Sequence, residues 1–123
     1  TNLYSRRPSR DKLTTLAAMT QNTRALSIFL THQPTESVVQ LAGRTGYDLF
    51  LGGHTHGGQV VLNAFGAHLS LPRLETRFVS GFYEVGSLFV SIPNGLGLTF
   101  APVRFQAPAE IMLIRLKSAG AAK

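Results

Sequence analysis

The stretch Asp48-Leu49-Phe50-Leu51-Gly52-Gly53-His54-Thr55-His56-Gly57-Gly58 decides how this chain folds. Its first half, residues 48–52, is a short apolar run of the kind found in strands buried inside a sheet. Its second half is a glycine-flanked loop that carries two histidines. Upstream, residues 25–31 form another apolar run, which predicts a second strand buried on both faces, and His32 follows it directly.

The segment between the two apolar runs is predicted to be a helix. Pro34 suits a first helical turn, where its missing N–H leaves no hydrogen bond unmade, and Gly46 is typical of a helix end. Apolar residues recur between them at the spacing of one helix face, at Val38, Leu41 and Ala42. A strand, a helix and a strand within about 28 residues predict a βαβ unit with parallel pairing. The three histidines should therefore meet at one edge of the sheet, where open α/β sheets bind ligands.

The remaining segments complete a prediction of an α/β fold. A helix is expected over residues 9–19, with Ser9 as its N-cap and Asp11 in its first turn. After Gly58 the pattern changes to short strands separated by Gly, Pro and Asn, with a hairpin turn at Gly86. These strands are predicted at residues 59–62, 77–80, 82–85, 87–91, 103–105 and 110–116. Residues 63–75 are predicted as a loop and 118–123 as a frayed tail, so the expectation is one partial domain over 1–123, a βαβ unit followed by a mostly antiparallel meander.

Composition excludes several classes of protein. With 44% hydrophobic and 15% charged residues among 123, the chain can bury a core and is not a disordered tail. Cysteine is absent, which excludes disulfides, thiolate zinc sites and cysteine nucleophiles. The net charge of +6 favours anionic partners, although no nucleic-acid-binding motif is present. No stretch approaches the ~20 apolar residues of a membrane-spanning helix, and the absence of an initial Met suggests mid-protein sequence.

The clustered histidines predict a metal site. Neutral imidazole is a common ligand of Zn²⁺, Mn²⁺ and Fe. If residues 54–56 are extended, the rings of His54 and His56 face the same side, and their two-residue spacing suits two adjacent ions. The flanking glycines allow close approach to a ligand and positive φ angles. The alternative is an ordinary turn with one histidine buried and the other exposed. His68, which lies in the predicted loop, is interpreted as a surface or packing residue.

The carboxylates are too few and too scattered to complete such a site. A two-metal hydrolytic centre needs anionic ligands that hold and bridge its ions. Asp48 begins the strand that His54 follows and so lies at the wrong edge, and Glu36 suits the N-terminus of a helix. The only other candidates are Asp11, Glu75, Glu84 and Glu110. The sequence therefore predicts a ligand set that is incomplete within this chain.

These motifs resemble a known family. Residues 30–34 (L-T-H-Q-P) and 47–59 (Y-D-L-F-L-G-G-H-T-H-G-G-Q) are similar to the last two motifs of the calcineurin-like metallophosphoesterases. The Gly-Gly-Gln continuation resembles the bacterial YkuE-like phosphodiesterase branch, as do residues 80–83, 89–91, 94–97 and 102–105. The resemblance covers roughly residues 26–116.

The resemblance implies a fold, an activity and a ligand set. It implies the C-terminal half of an α-β-β-α sandwich and a phosphodiesterase-type hydrolase of phosphate esters. Two divalent ions (Mn, Zn or Fe) would activate water, with His32 and His54 on one ion and His56 on the other. The family's Asp-x-His, Gly-Asp-x-x-Asp and Gly-Asn-His motifs do not occur here, so the general acid is expected outside this chain, which should be inactive alone. The branch also implies lipid or cell-envelope phosphates as substrates and membrane association.

Four further residues are candidate substrate contacts. Gly57, Gly58 and Asn94 could line the pocket through close backbone approach, and the planar guanidinium of Arg104 could bind a phosphate or lie on the surface. Two other functions stay open at this point. The chain could be a non-catalytic metal- or anion-binding module that acts through a partner, or a hydrolase that uses a single metal ion.

Overall fold

The computed structural model describes residues 10–20, 25–64, 66–99 and 101–117. Within these ranges the chain has two helices and six strands: the helices alternate with the first two strands, and two hairpins follow. In chain order they are α1 (Arg10–Thr20), β1 (Ile28–Leu30), α2 (Glu36–Arg44), β2 (Leu49–Leu51), β3 (Leu62–Ala64), β4 (Ala67–Leu69), β5 (Gly81–Val85) and β6 (Leu88–Ile92). Two 3₁₀ turns, His56–Gly58 and Leu71–Leu74, lie on either side of the β3–β4 hairpin. The fold is mixed α/β, as predicted.

The βαβ unit is confirmed. β1 pairs in parallel with β2, with Phe29 opposite Phe50. α2 buries Val39 and Ala42 completely, since its apolar residues follow helical spacing. The position predicted for Pro34 was wrong: the helix begins at Glu36 with Thr35 as its N-cap, so Pro34 precedes the first turn. A proline there holds an extended approach to the helix, with its carbonyl accepting the hydroxyl of Thr76 at 2.6 Å.

The main sheet has the strand order β1-β2-β6-β5. β5 and β6 form the predicted antiparallel hairpin, which turns at Gly86 with φ +64°. β6 then pairs in parallel with β2, so a strand from the second half of the chain extends the βαβ sheet. The predicted meander is therefore only partly correct, because its central strand joins the first half rather than only its neighbours.

The core lies between the sheet and α2. Phe50 is fully buried and stacks on Phe29 with ring centroids 5.6 Å apart, and Tyr47 meets Phe29 edge-on at 5.0 Å. Val90 and Ile92 of β6 and Val39 of α2 are completely buried against these rings. The opposite sheet face is also apolar but more open. It exposes Ile28, Leu30, Phe82 and Phe89.

That open face corrects the expectation for β1. The apolar run predicted a strand buried on both faces, but only Phe29 of β1 is buried, and Leu30 is 78% exposed. β1 is an edge strand of the sheet. An apolar run indicates a strand, but it does not show whether other segments of this chain bury both faces of that strand.

Several strands predicted downstream do not form ladders within the described residues. Residues 77–80 turn instead, because the Tyr83 hydroxyl accepts the N–H groups of Val79 and Ser80 that a ladder would need. In the described part of the chain, the only β pairing of residues 59–61 and 103–105 is the isolated bridge of Val60 with Phe105, and that of residues 110–116 is the bridge of Glu110 with Gly95. Leu62, the last residue of the strand predicted over 59–62, begins β3. Conversely, the β3–β4 hairpin lies in a segment predicted almost entirely as loop.

The first helix agrees with the prediction. It spans Arg10–Thr20 with Asp11 in its first turn. The predicted N-cap Ser9 and the tail 118–123 lie outside the described residues. Neither helix of the described chain is long and apolar enough to cross a membrane.

Candidate metal centre

The ends of β1 and β2 bring His32 and His54 into contact. The two strands are neighbours in parallel, and the N–H of Gly53 donates to the carbonyl of His32 at 2.9 Å. Nε2 of His32 then lies 3.0 Å from Nδ1 of His54, with the rings almost perpendicular. Which nitrogen carries the proton depends on the tautomers of the two rings. The predicted meeting of these side chains at one sheet edge is confirmed.

The loop over residues 53–58, hereafter the histidine loop, is not extended. His54 and His56 adopt left-handed backbone conformations with φ of 69° and 50°, and Thr55 between them is helical. The extended conformation predicted for residues 54–56 was therefore wrong. Left-handed φ angles are uncommon in residues with a side chain, and the strain persists only where other contacts stabilise the loop. Thr55 makes one such contact, since its buried hydroxyl donates to the carbonyl of Val79 at 2.6 Å.

Gly57 and Gly58 let other segments pack directly on the loop. A Cβ on Gly57 would lie 2.2 Å from Oδ1 of Asn94, and one on Gly58 would lie 2.8 Å from Cβ of Ser70. Both residues also have positive φ angles, as predicted for the flanking glycines, whereas Gly52 and Gly53, for which the same was expected, do not. Asn94 is buried and accepts a hydrogen bond from the Ser80 hydroxyl at 2.6 Å. The two glycines thus have a packing role, and their predicted contact with substrate stays a prediction.

Arg104 joins the histidine loop to neighbouring segments by hydrogen bonds to backbone carbonyls. Its Nη1 donates to the carbonyls of His56 and Ala107, both at 2.9 Å. Its Nη2 donates to three carbonyls between 2.6 and 3.1 Å away, those of Asn94, Gly95 and Gly97. Both terminal nitrogens are therefore occupied by backbone acceptors. The predicted phosphate contact of Arg104 stays a prediction, and it would require some of these bonds to be given up.

His56 lies between this guanidinium and the other two histidines. Burial lowers the pKa of His56 below its ordinary value of 6.5, and the positive charge of Arg104 and the rings of His54 and His32 lower it further. The carbonyl of Gly97 opposes these effects by hydrogen bonding. The net shift favours the neutral imidazole, which is the form that binds metal ions.

Glu75 is a neighbour of the histidines that sequence reasoning missed. One of its carboxylate oxygens lies 3.6 Å from Nε2 of His54, and the Gln33 amide donates to the same oxygen at 3.2 Å. Because Nδ1 of His54 faces His32, the carboxylate lies on the opposite side of the His54 ring, at Nε2. The contact joins residues far apart in sequence, and no local spacing indicates it.

Three further carboxylates serve the scaffold. Glu36 pairs with Arg77 at 3.1 Å, and Asp48 accepts the N–H of Ser27 at 2.8 Å. Glu110 accepts the N–H of Asn94 at 3.2 Å. Within the described ranges, no group of three or more His, Asp, Glu or Cys side chains is placed to surround one ion. The described chain thus brings together a histidine pair rather than a full ligand shell.

Curated bacterial proteins align with most of the chain, including this site. A metallophosphoesterase of Bacillus subtilis, YkuE, is 38% identical over 97 residues, which are 77% of this chain and 32% of YkuE. The metallophosphoesterase Cj0846 of Campylobacter jejuni is 40% identical over 99 residues, 78% of this chain and 24% of that protein. The chain belongs to the metallophosphoesterase family.

Members of this family from animals are also similar to the chain. A bovine protein named as a transmembrane protein with a metallophosphoesterase domain is 34% identical over 94 residues, 76% of this chain and 20% of its own length. The chain spans about a third or less of the curated relatives that it matches. No family model matches it. No solved structure matches it either.

Replacing Gly57 by alanine tests whether the packing on Asn94 maintains the histidine loop. Gly86→Ala is the matched control, because Gly86 has nearly the same φ (+64° against +66°) but open space around it. Both variants carry backbone strain, and only Gly57→Ala adds a steric clash. We expect Gly57→Ala to lower the free energy of unfolding by about 2 kcal/mol more than the control. Urea denaturation measures this difference, and equal losses would contradict the packing role.

Proposed function

We propose that this chain supplies one wall of the active site of a two-metal phosphoesterase, with His32 and His54 as ligands of one divalent ion and His56 as a ligand of the other. The observation that carries the proposal is the 3.0 Å approach of Nε2 of His32 to Nδ1 of His54. Family membership supports the same chemistry, since the relatives are named metallophosphoesterases.

The histidine pair fits a metal ion. Histidine nitrogens bind zinc at about 2.0–2.1 Å, so two of them at tetrahedral to right angles around one ion lie about 2.8–3.4 Å apart. The observed separation is within that range. Bound divalent ions supply charge neutralisation on the phosphate ester and activate a water molecule for attack on phosphorus. The ions could be Mn, Zn or Fe, because imidazole suits all three.

The remaining ligands are proposed to come from residues outside this chain. Two observations support this: the described residues hold no complete ligand group, and the relatives are three or more times longer than the matched region. A general acid is likewise assigned to those residues. The chain alone would then lack the carboxylates that bridge two ions.

The proposal extends to the architecture. We assign residues 1–123 to one partial domain, the C-terminal half of an α-β-β-α sandwich, with 118–123 as its tail. The open apolar face of the main sheet supports this assignment. Leu30, Phe82 and Phe89 lie exposed on that face, and a second sheet packed against it would remove them from water.

The proposed substrate is a phosphate ester of the phosphodiester type, including lipid or cell-envelope phosphates. The excess of basic residues favours an anionic substrate. Association of the whole protein with a membrane is part of the proposal, and the names of the bovine and zebrafish relatives as transmembrane proteins support it.

Glu75 is proposed to orient His54. A carboxylate that accepts the N–H of one ring nitrogen leaves the other nitrogen free to bind a metal and fixes the plane of the ring. The 3.6 Å between the Glu75 carboxylate oxygen and Nε2 of His54 is longer than a direct hydrogen bond. We expect this distance to shorten when a metal ion binds Nδ1 on the other side of the ring. Gln33, next to His32, keeps the carboxylate in place.

Removing one histidine should abolish metal binding. We expect the chain to bind Mn²⁺ or Zn²⁺ and His54→Ala to lose this binding, because a single imidazole holds an ion only weakly. His68→Ala is the control, since His68 is an exposed histidine on β4. Competition with a chromophoric chelator measures the dissociation constants. Wild-type affinity in His54→Ala would contradict the assignment.

Removing Glu75 should weaken the metal site without abolishing it. We expect Glu75→Ala to raise the metal dissociation constant about tenfold, the low end for supporting partners because this pair is largely exposed to water. Glu75→Gln retains an acceptor and should keep most of the affinity. Glu84→Ala, an exposed carboxylate on β5, is the control. Equal affinity of Glu75→Ala and Glu84→Ala would remove the orienting role.

A hydrolysis assay separates the enzyme from a non-catalytic metal-binding module. We expect the chain alone to hydrolyse bis(p-nitrophenyl) phosphate poorly or not at all with Mn²⁺. Joined to an upstream segment that carries the missing Asp and Asn ligands, it should become active, and His54→Ala should remove the activity. Strong hydrolysis by the chain alone would overturn the shared-site proposal, and no activity in the joined protein would favour the module.

A further inference from the structure

A cleft beside the histidine loop has no role in the site described above. It has a volume of about 170 Å³ and lies between Gly57 and the β3–β4 hairpin, with Ser70, Arg73 and His68 on the hairpin side and Asn94 opposite. Liquid water occupies about 30 Å³ per molecule, so the cleft has room for a group of several heavy atoms. It is smaller than the usual pocket for a whole ligand, about 300–1,000 Å³. Its size therefore suits one functional group of a larger molecule or a small ion.

The Ser70 hydroxyl marks the cleft as polar. Its oxygen is buried, and among the described residues it has no hydrogen-bond partner. It also adjoins the histidine loop, because a Cβ on Gly58 would lie 2.9 Å from this oxygen. A buried hydroxyl without a partner is costly, so a bound group that accepts or donates a hydrogen bond here is stabilised.

The charge at the cleft is positive. Arg73 is exposed at its mouth, and the described part of the chain provides no carboxylate partner for it. No Asp or Glu lines the cleft, and the nearest carboxylate along the chain, Glu75, is engaged by His54 and Gln33. Arg73 and Ser70 both line the cleft, and a guanidinium and a hydroxyl are groups that bind the oxygens of a phosphate or carboxylate.

The Asn94 side of the cleft is hydrogen-bonded to its neighbours and adjoins the histidine loop. The Asn94 amide already accepts from Ser80 and donates to the carbonyl of Pro108 at 2.9 Å, so it shapes the cleft and needs no ligand. Gly57, on this side, follows His56 directly. A group held in the cleft therefore lies next to the loop that carries the proposed metal ligands.

We propose that this cleft is an oxyanion-binding site, in which Arg73 and Ser70 bind a phosphate or carboxylate group. As a subsite of the enzyme, this rests on the proposed function: the group is either a second acidic group of the substrate or the phosphate monoester released when the diester is hydrolysed. Both sources share the same chemistry of recognition. The site gives the enzyme a preference for esters that carry a second negative charge, or makes it sensitive to its own product.

Binding of inorganic phosphate to this chain tests the site without metal. With EDTA present, we expect phosphate to shift the amide NMR signals of Gly57, Ser70 and Arg73. Arg73→Ala should weaken binding at least about fivefold, because an ionised hydrogen-bond donor is lost. Ser70→Ala should weaken it less, and Arg115→Ala, an exposed arginine elsewhere, should leave it unchanged. Absence of these shifts, or equal binding by Arg73→Ala and wild type, would overturn the proposal.

The EDTA condition keeps this result separate from the metal assignment. Loss of the metal site would show in the His54→Ala comparison and leave phosphate binding intact. In the protein made active by an upstream segment, Arg73→Ala should raise KM for a phosphodiester with a second phosphate and not for bis(p-nitrophenyl) phosphate. If only inhibition by the monoester product, p-nitrophenyl phosphate, weakens, the cleft binds the product. If neither changes, the cleft is not a subsite of the enzyme.

Discussion

The guanidinium of Arg104 donates to backbone carbonyls of three separate segments, and the shape of the histidine loop depends on this contact. It joins the carbonyl of His56 to those of residues 94–97 and of Ala107. An arginine can do this because its planar fork presents five donors in fixed directions. Burial lowers the pKa of His56, and the same positive charge lowers it further. One side chain therefore supports both the geometry and the protonation state of the proposed ligand.

The strain in the histidine loop explains why so many contacts converge on it. Two histidines with positive φ angles would relax in an isolated peptide. Here the loop is held by Thr55 bonded to Val79, by Gly57 packed on Asn94 and by the Arg104 contact. Its preferred shape thus belongs to the folded domain rather than to the local sequence. Such a preorganised loop would present the proposed metal ligands with little further loss of entropy on binding.

The parts of the fold that could be predicted from sequence are those in which apolar residues recur at a regular spacing or form a continuous run. The apolar runs before His32 and His54 and the helical spacing after Pro34 suffice for the βαβ unit, and its topology brings His32 and His54 together. The segments after Gly58 have neither signal. Their backbone groups are often satisfied by distant side chains, as when Gln59 bonds to the carbonyls of Thr99 and Ala101. The contact of Glu75 with His54 and that of Arg104 with the carbonyl of His56 could not be predicted for the same reason, since the partners are 21 and 48 residues apart and leave no local pattern.

The placement of β6 beside β2 has a kinetic consequence. The β5–β6 hairpin closes over a two-residue turn and can form early, whereas the β2–β6 ladder must first close a loop of about 40 residues. Until that ladder forms, Asn94 and Arg104, which follow β6, cannot reach the histidine loop. The geometry of the proposed metal ligands is therefore expected to develop late in folding. A metal ion present during folding would meet a flexible pair of imidazoles first and the ordered loop only afterwards.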